Sequence, residues 1–438
     1  MERPRGLIRA PDGGVKAGRA TSSREAARDF IADVGAFGFG FAATNVIAFA
    51  YVVAAGRTLA PAEFAVFNAL FGLITVASYF SSSIQLAATE AATRNPSNSV
   101  LPTLVAQTVR LVLPACTLVT IAALPFGPAI GATAAALGAV GATVCVMFAS
   151  SAAMGVLVGL GRIRASSLVM LAGATCRLLV GWPLMLLGLS IIGAVLGYLV
   201  NYLLVFFLAY ALSMRTGLSR HSSAIGHRER LRFKASTVAT SVIAFLPFGL
   251  DQILVQLVAP TEGAEYAALA TTAKLVFFGA YPVVAVMYPR LLTEPLVQRR
   301  MHLLLLAIVL VLLVGGATAT LVAAFPGTML HLLFHRSFDA TSRYVGPFAY
   351  GILFFSVSAL SAQALIAWQS RVGYLPSAVA TVFAVTLFTL RHDSLGTLVS
   401  NQLWVYGVQF VLTISLLAAT VARSLKKPSF PPVDQIIR

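Results

Sequence analysis

The chain has 438 residues, of which 58% are hydrophobic and only 11% are charged. A soluble domain carries about 25% charged residues, so this composition excludes a soluble globular protein and indicates a polytopic membrane protein. The net charge of +16 would suit nucleic-acid binding in a soluble chain, but here the basic residues gather in short segments between apolar runs. That arrangement favours contact with an anionic membrane leaflet and excludes nucleic acid as a partner.

Apolar runs of about 18 residues or more are typical of transmembrane helices. Twelve such runs follow one another along the chain, and the polar segment 214–234 divides them into six and six. We therefore predict an all-α polytopic membrane protein with 12 transmembrane helices in two six-helix lobes. The predicted spans are 30–55, 63–92, 101–124, 129–160, 165–188, 190–213, 235–259, 264–293, 301–324, 343–369, 372–390 and 395–421.

Basic residues fall mostly on one side of these spans. Residues 1–29 hold seven Arg and Lys and 214–234 hold six, whereas the segments on the other side hold only Arg57, Arg336 and Arg391. Because basic loops stay in the cytoplasm, both termini are predicted to be cytoplasmic. The predicted domains are a disordered basic cytoplasmic tail (1–29) without a cleavable signal peptide, an N-terminal lobe (30–213), a cytoplasmic basic linker (214–234), a C-terminal lobe (235–421) and a cytoplasmic tail (422–438).

A short internal match suggests that the two halves are repeats. Residues 62–65 read Ala-Glu-Phe-Ala at the start of the second span, and residues 264–267 read Ala-Glu-Tyr-Ala at the start of the eighth. Each half begins on the same side of the membrane, so the repeat would be parallel, with its axis along the membrane normal.

Catalytic and metal motifs are missing from the sequence. It contains no GxxxxGK[ST], HExxH, GxSxG or CxxC pattern, so we predict neither an enzyme nor a bound cofactor or metal. A membrane glycosyltransferase would need acidic residues in sizeable outer loops, and the acids there, Asp339 and Asp393, are isolated.

Three cations lie in the middle of predicted spans: Arg110 in the third, Arg177 in the fifth and Lys274 in the eighth. A charge at the bilayer centre costs roughly 2.5–3.5 kcal/mol, and such residues usually face a cavity. We therefore predict that these cations bind a negatively charged substrate. The alternatives are that Asp251, at a similar depth in the seventh span, pairs with Lys274, and that the two arginines snorkel or bond to carbonyls.

Charged residues near the cytoplasmic helix ends form a second group. Glu90 and Arg94, and likewise Arg290 and Glu294, are spaced four residues apart, which favours local pairing on a helix. Arg94, Arg290 and Glu294 are also candidates for a cytoplasmic gate between the lobes. Asp33 and Glu90, together with Asp251, are candidates for coupling transport to an ion gradient.

Several segments resemble the polysaccharide (O-antigen type) flippase family of the multidrug/oligosaccharidyl-lipid/polysaccharide (MOP) exporter superfamily. The sequence "GRTLAPAEFAVFNALFGLI" is similar to the family's second span, and 246–294 is similar to its seventh and eighth spans. Asp251 and Lys274 fall on an Asp and a Lys of the family, and Arg177 falls on a basic residue common there. The resemblance covers about 35–420. Gln252 departs from it, because the family usually has a basic residue at that position.

The resemblance implies a flippase that moves a polyprenyl-(pyro)phosphate-linked oligosaccharide across the cytoplasmic membrane by alternating access, for polysaccharide biosynthesis. It also implies a multi-pass protein of the inner (cytoplasmic) membrane whose partners are the anionic lipid-linked glycan, membrane lipids and glycan-assembly enzymes. We expect a monomer. The alternatives are a multidrug or small-metabolite antiporter of the same superfamily and a non-transporting membrane scaffold for glycan assembly.

Overall fold

The computed structural model of the protein describes residues 23–94, 100–214, 239–240, 242–293, 296–334 and 339–426. These residues form an all-helical bundle. The first six helices, called the N-half here, are α1 (Ser23–Thr58), α2 (Pro61–Arg94), α3 (Val100–Ala123), α4 (Ala134–Gly159), α5 (Ile163–Leu184) and α6 (Ser190–Met214). The later helices, called the C-half, are α7 (Leu246–Val258), α8 (Gly263–Ala273), α9 (Leu275–Thr293), α10 (Val297–Ala324), α11 (Pro326–Phe334), α12 (Asp339–Ala367), α13 (Leu375–Leu390) and α14 (Leu395–Lys426).

The helices are long and apolar enough for a membrane. Nine segments of the described residues qualify as membrane spans, and α7 and α13 are shorter apolar helices. The chain is therefore a multi-pass membrane protein. Each of the twelve predicted spans overlaps a helix, but the number twelve, the division into two lobes and the cytoplasmic termini stay predictions. The predicted linker and most of both predicted tails lie outside the described residues.

Helices pack mainly within their own half. In the N-half, α4 contacts α2, α3 and α6, and α5 contacts α1 and α6; in the C-half, α12 contacts α9, α10 and α14. Contacts between the halves run chiefly from α2 to α7 and α8, with smaller ones from α1 to α9 and α11. We call the side on which α1 ends and α2 begins the distal side, and the side on which α2 ends the proximal side.

The start of α2 shows how the local sequence sets a helix boundary. Pro61 occupies the first helical position, where its missing N–H removes no hydrogen bond. Glu63, in the first turn, accepts a hydrogen bond at Oε2 from the backbone N–H of Ala60 at 3.0 Å. The carboxylate thereby caps the helix and complements its positive dipole end.

Two glycines allow α2 and α7 to approach closely. A Cβ atom added to Gly72 would lie 2.5 Å from the carbonyl oxygen of Gly249, and one added to Gly249 would lie 3.2 Å from that of Gly72. Real Cβ atoms essentially never lie 2.5 Å from another heavy atom, and 3.2 Å is tighter than most of their contacts, so glycine at these positions permits the close approach of α2 and α7.

Replacing Gly72 with alanine is expected to destabilise the protein by about 1–3 kcal/mol, because the two helix backbones must move apart. The matched control is Gly138→Ala in α4, where an added Cβ meets nothing within 4 Å. There alanine is expected to be neutral or up to about 1 kcal/mol stabilising. Thermal unfolding in detergent measures both. Equal unfolding temperatures for the two variants would show that the close approach does not limit stability.

Arg57 links the two halves at the distal side. Its Nε donates a hydrogen bond to the carbonyl of Leu333 at 2.8 Å, and its Nη2 donates to the carbonyl of Leu332. Both carbonyls belong to the last turn of α11, where a cation is favoured by the helix dipole. The rings of Phe64 and Phe334 pack beside this contact at 5.5 Å between centroids.

Further contacts join the halves between the Arg57 contact and the proximal side. Gln256 Nε2, in α7, donates to the carbonyl of Ile130, in the loop before α4, at 3.3 Å. Closer to the proximal side, the rings of Phe41 in α1 and Tyr281 in α9 lie 5.3 Å apart. The halves are therefore in contact from the distal side to the depth of Phe41.

The seventh span is interrupted ahead of Pro247. Turns at residues 244–245 precede α7, and Pro247 has no N–H with which to continue a helix. Side chains of α14 bond to the carbonyls here: Gln409 Nε2 donates to Ala244 O at 2.8 Å, and Gln402 Nε2 donates to Pro247 O at 3.1 Å. Such partners are what an irregular backbone needs at membrane depth.

Candidate functional site

Arg177 lies in the interior of the N-half. It projects from α5 and is only 7% exposed. Its guanidinium carbon lies 4.5 Å from the ring centroid of Tyr198 and 5.3 Å from that of Tyr51. Both distances are within the range of cation–π attraction, so two aromatic faces partly replace the water that the cation loses on burial.

The aromatic rings are themselves held by small residues. Tyr51 donates a hydrogen bond from its hydroxyl to the carbonyl of Ala194 at 2.6 Å. An added Cβ at Gly181 or Gly197 would overlap this hydroxyl group, so only glycine leaves room for it. The ring of Tyr198 packs edge-on against that of Tyr51, with centroids 5.6 Å apart. The position of Arg177 is thereby fixed by α1 and α6.

The Nε atom of Arg177 lacks the hydrogen bond that a buried guanidinium nitrogen normally makes. This atom is buried and has no hydrogen-bond partner within the part of the chain that the structure describes. Leaving a buried polar group unpaired costs about 1–3 kcal/mol, and more for a charged group. A hydrogen-bond acceptor from outside the chain, either water or a ligand, would remove this cost.

Lys274 lies at the junction of α8 and α9 and is 4% exposed. Its Nζ is 3.6 Å from Asp251 Oδ1 and donates a hydrogen bond to the carbonyl of Phe248 at 3.0 Å. The hydroxyl of Tyr266 donates to Asp251 Oδ2 at 3.2 Å. The ion pair between Asp251 and Lys274, which their similar depths in the predicted spans suggest, is thus present. It largely neutralises this part of the C-half.

Arg177 and Lys274 line one small cavity between the halves. Its volume is about 90 Å³, which is room for roughly three water molecules at ~30 Å³ each. Sites for drug-sized ligands are larger, about 300–1,000 Å³. The cavity in this conformation can therefore hold a small polar group but not an oligosaccharide. The remaining lining residues are Ala48, Phe49, Val52, Phe71, Tyr198, Gln252, Thr271 and Phe278.

Polar side chains of both halves meet beside this cavity. Asn68 Oδ1, in α2, faces Gln252 Nε2 at 3.4 Å and Thr271 Oγ1 at 3.5 Å, so both hydrogen bonds are long. Gln252 Oε1 is buried without a partner among the described residues. These loose contacts would break readily if the halves separated.

The structure does not bring the three predicted cations together. Arg110 is exposed on α3 and does not line the cavity that Arg177 and Lys274 share. Glu90 lies near the proximal end of α2 and does not line it either. The other predicted coupling and gate positions cannot be placed: Glu294 and the side chains of Asp33, Arg94 and Arg290 lie outside the described residues.

Sequence reasoning missed Tyr51, Tyr198 and Asn68. The tyrosines lie in apolar runs, where an aromatic residue at the core looks like one at the lipid face, so nothing marked them as partners of Arg177. Asn68 is a polar residue in the second predicted span. A polar residue there could have been noted as a contact between helices.

Comparison with solved structures shows which known fold the chain has. No protein-family model matches the sequence, and no curated protein matches it. The chain is similar to the inward-facing conformation of a multidrug resistance MATE family transporter of the MOP superfamily, with a TM-score of 0.64 and 13% identity over 86% of this chain and 95% of that one. For the outward-facing conformation of such a transporter, the TM-score is 0.59 and the identity 14%, over 89% and 96%.

A third similar structure is a MOP superfamily transporter from Pyrococcus furiosus, with a TM-score of 0.63 and 15% identity over 90% of this chain and 96% of that one. The reverse polarity of that protein's binding pocket is described as suggesting a different function. At these identities the likeness shows the fold alone. The chain has the fold of MATE family transporters of the MOP superfamily, and membership of the polysaccharide flippase family stays a prediction.

Proposed function

We propose that this protein is a membrane transporter that moves a polyprenyl-(pyro)phosphate-linked oligosaccharide across the cytoplasmic membrane by alternating access. The observation that carries the proposal is Arg177, which is buried, held between two aromatic rings and without a hydrogen-bond partner for its Nε among the described residues. A substrate phosphate would supply the missing acceptor. Arginine suits this role because its planar guanidinium can bind phosphate through two hydrogen bonds.

The charge of the cavity favours an anionic substrate. Asp251 offsets Lys274, whereas Arg177 makes no ion pair with any described residue, so the cavity carries a net positive charge. An anion that entered the cavity would contact both Arg177 in the N-half and Lys274 in the C-half. Binding would thereby depend on how far apart the halves are, which is what alternating access requires.

Movement of the halves is needed because the cavity is small. An oligosaccharide could enter the space of about 90 Å³ only after the N-half and C-half had separated. The contacts of Arg57 with α11 and of Gln256 with Ile130 would break on the distal side during such a movement. In this proposal, 30–213 and 235–421 act as two six-helix lobes, and an ion gradient or the membrane potential drives the cycle.

Two alternatives lead to different expectations. A multidrug antiporter is compatible with the fold, but a cationic drug would need an acid in the cavity, and Asp251 is engaged with Lys274. A scaffold without transport activity would be expected to pair its buried cations internally. Lys274 fits that expectation, whereas Arg177 does not.

Transport in proteoliposomes distinguishes these alternatives. The purified protein would be reconstituted with a fluorescent polyprenyl-pyrophosphate-linked disaccharide, and a membrane-impermeant reductant would measure how fast the label changes leaflet. Parallel vesicles would contain ethidium as a cationic drug. We expect the disaccharide to cross faster than in protein-free vesicles, and ethidium to show no difference. Movement of ethidium alone would favour the multidrug antiporter, and movement of neither under an imposed proton or sodium gradient would favour the scaffold.

A further inference from the structure

Three polar side chains join the halves beside the cavity that Arg177 and Lys274 line. They are Asn68 in α2, Gln252 in α7 and Thr271 in α8, and we call them the Asn68 cluster. Their side chains are buried, with exposed fractions of 1%, 4% and 4%. Gln252 and Thr271 line the cavity, whereas Asn68 does not. The cluster therefore connects the cavity to the contact between the halves.

The amide of Asn68 has a fixed orientation. Its Nδ2 donates a hydrogen bond to the carbonyl of Phe64, one turn earlier in α2, at 2.9 Å. Its Oδ1 therefore faces the C-half and accepts from both Gln252 Nε2, at 3.4 Å, and Thr271 Oγ1, at 3.5 Å. Both distances exceed the range of about 2.5–3.2 Å that hydrogen bonds usually span. Two donors of the C-half thus share one acceptor of the N-half, and neither bond is strong.

The polar groups of the C-half are only partly satisfied by this contact. Gln252 Oε1 is buried and has no hydrogen-bond partner among the described residues. Thr271 directs its hydroxyl across the interface, whereas the hydroxyl of its neighbour Thr272 donates to the carbonyl of Ala268 in their own helix at 2.8 Å. The helices α7 and α8 therefore offer two donors and one acceptor for which Asn68 is a poor partner.

The chemistry of these groups fits sugar hydroxyls better than a phosphate. The pyrophosphate oxygens of a lipid-linked sugar carry no proton at neutral pH and only accept hydrogen bonds, so they would leave Gln252 Oε1 unpaired. A hydroxyl both donates and accepts, and neighbouring hydroxyls of one sugar ring can pair with both ends of the Gln252 amide. Thr271 and Lys274 are three residues apart and hence neighbours along the helix. A hydroxyl bound at Thr271 would therefore lie beside an anion bound at Lys274.

We propose, resting on the transport function proposed for this protein, that Gln252 and Thr271 select the substrate by binding hydroxyl groups of the sugar attached to its phosphate. In the closed conformation Asn68 covers both residues. When the halves separate, Asn68 moves away with the N-half and leaves them free to bind the sugar. The phosphate would then lie between Arg177 and Lys274, and the first sugar would lie against α7 and α8.

Binding of two matched probes tests the sugar contact. The first probe is glucose linked through pyrophosphate to farnesol. The second carries a methyl group in place of the glucose, so that both probes have the same charge and the same lipid. Microscale thermophoresis would measure their affinities for the purified full-length protein in detergent. We expect the native protein to bind the glucose probe about three- to ten-fold more tightly, as for one additional hydrogen bond.

The two possible failures of this experiment have different meanings. Equal affinities of the native protein for the two probes would overturn the sugar contact and leave the anion site at Arg177 standing. Binding of neither probe would overturn the proposed function, and the sugar contact with it.

Variants assign the preference for glucose to individual residues. Gln252→Met removes the amide at similar size and should bring the two affinities to within about two-fold of each other, while Thr271→Val should lower the preference in part. The matched controls, Gln256→Met and Thr272→Val, change buried residues that do not line the cavity and should keep the native preference. Arg177→Gln should weaken binding of both probes by the same factor.

The ratio of the two affinities separates recognition from structure. A cluster that only holds the halves together would change both affinities alike. If Gln252→Met kept the native ratio, or if Gln256→Met lost it to the same extent, the selection of the sugar by Gln252 would be overturned.

Discussion

We expect Arg177→Gln to lower transport of the lipid-linked disaccharide by about 10- to 100-fold. A hydrogen bond to a charged group is worth about 1.5–3 kcal/mol, and the substrate phosphate would lose such bonds. The transport rate of Arg177→Lys is expected to lie between those of Arg177→Gln and the native protein. Lysine keeps the charge but cannot bind a phosphate through a planar pair of N–H groups. The flip assay in proteoliposomes measures all three proteins.

The stability of the same variant separates binding from structure. The guanidinium is buried without a hydrogen-bond partner for Nε among the described residues, so Arg177→Gln removes an uncompensated charge and should not lower the unfolding temperature. The cation–π contacts with Tyr51 and Tyr198 are lost in exchange, at about 0.5–2 kcal/mol. If Arg177→Gln unfolded the protein, the arginine would have a structural role and the argument for a substrate anion would fail.

Arg110→Gln is the matched control for this experiment. It removes the same charge from a similar depth in a span, but its side chain is exposed on α3 and does not line the cavity. We expect transport to stay at the native level. Equal loss of transport in both arginine variants would mean that the anion binds somewhere other than the cavity between the halves.

Asp251→Asn is expected to destabilise the protein by about 3–5 kcal/mol, since it leaves Lys274 buried and without its carboxylate partner. The double variant Asp251→Asn with Lys274→Met removes both charges and should recover most of this loss. A chemical unfolding series in detergent, read as a double-mutant cycle, measures the coupling between the two residues.

The control for the carboxylate is Glu265→Gln in α8. Glu265 accepts a hydrogen bond from Thr341 Oγ1 at 3.0 Å, and weakening it is expected to cost only about 1 kcal/mol. If the double variant of Asp251 and Lys274 is stable and still transports at the native rate, the pair is structural and has no part in ion coupling. A stable double variant that no longer responds to an imposed ion gradient would assign coupling to this pair.

The matching level of Asp251 and Lys274 on neighbouring helices could be predicted from the sequence, but the direction in which a side chain points could not. Asp251 and Lys274 lie at similar depths in their predicted spans, and the structure contains the ion pair between them. Arg110 and Arg177 also lie at similar depths in their predicted spans, although one is exposed and the other is buried. In a membrane, lipid and protein interior are both apolar, so the sequence pattern carries little information about which face of a helix points inward.

Contacts between residues far apart in the chain could not be predicted from the sequence either. The rings around Arg177 come from α1 and α6, and their positions depend on Gly181 and Gly197, which leave room for the Tyr51 hydroxyl. Nothing in the local sequence of α5 indicates these contacts. The overall class was easier, because apolar runs of membrane-spanning length predict helices directly.

The interrupted seventh span has a mechanical consequence. A proline in a membrane helix usually suggests a point of bending. Here, however, the carbonyls of Ala244 and Pro247 accept hydrogen bonds from Gln409 and Gln402 of α14. Bending at Pro247 would have to break both hydrogen bonds within an apolar interior. The proline therefore marks a rigid joint, and the broken segment and α14 should travel together as one body whenever the halves move.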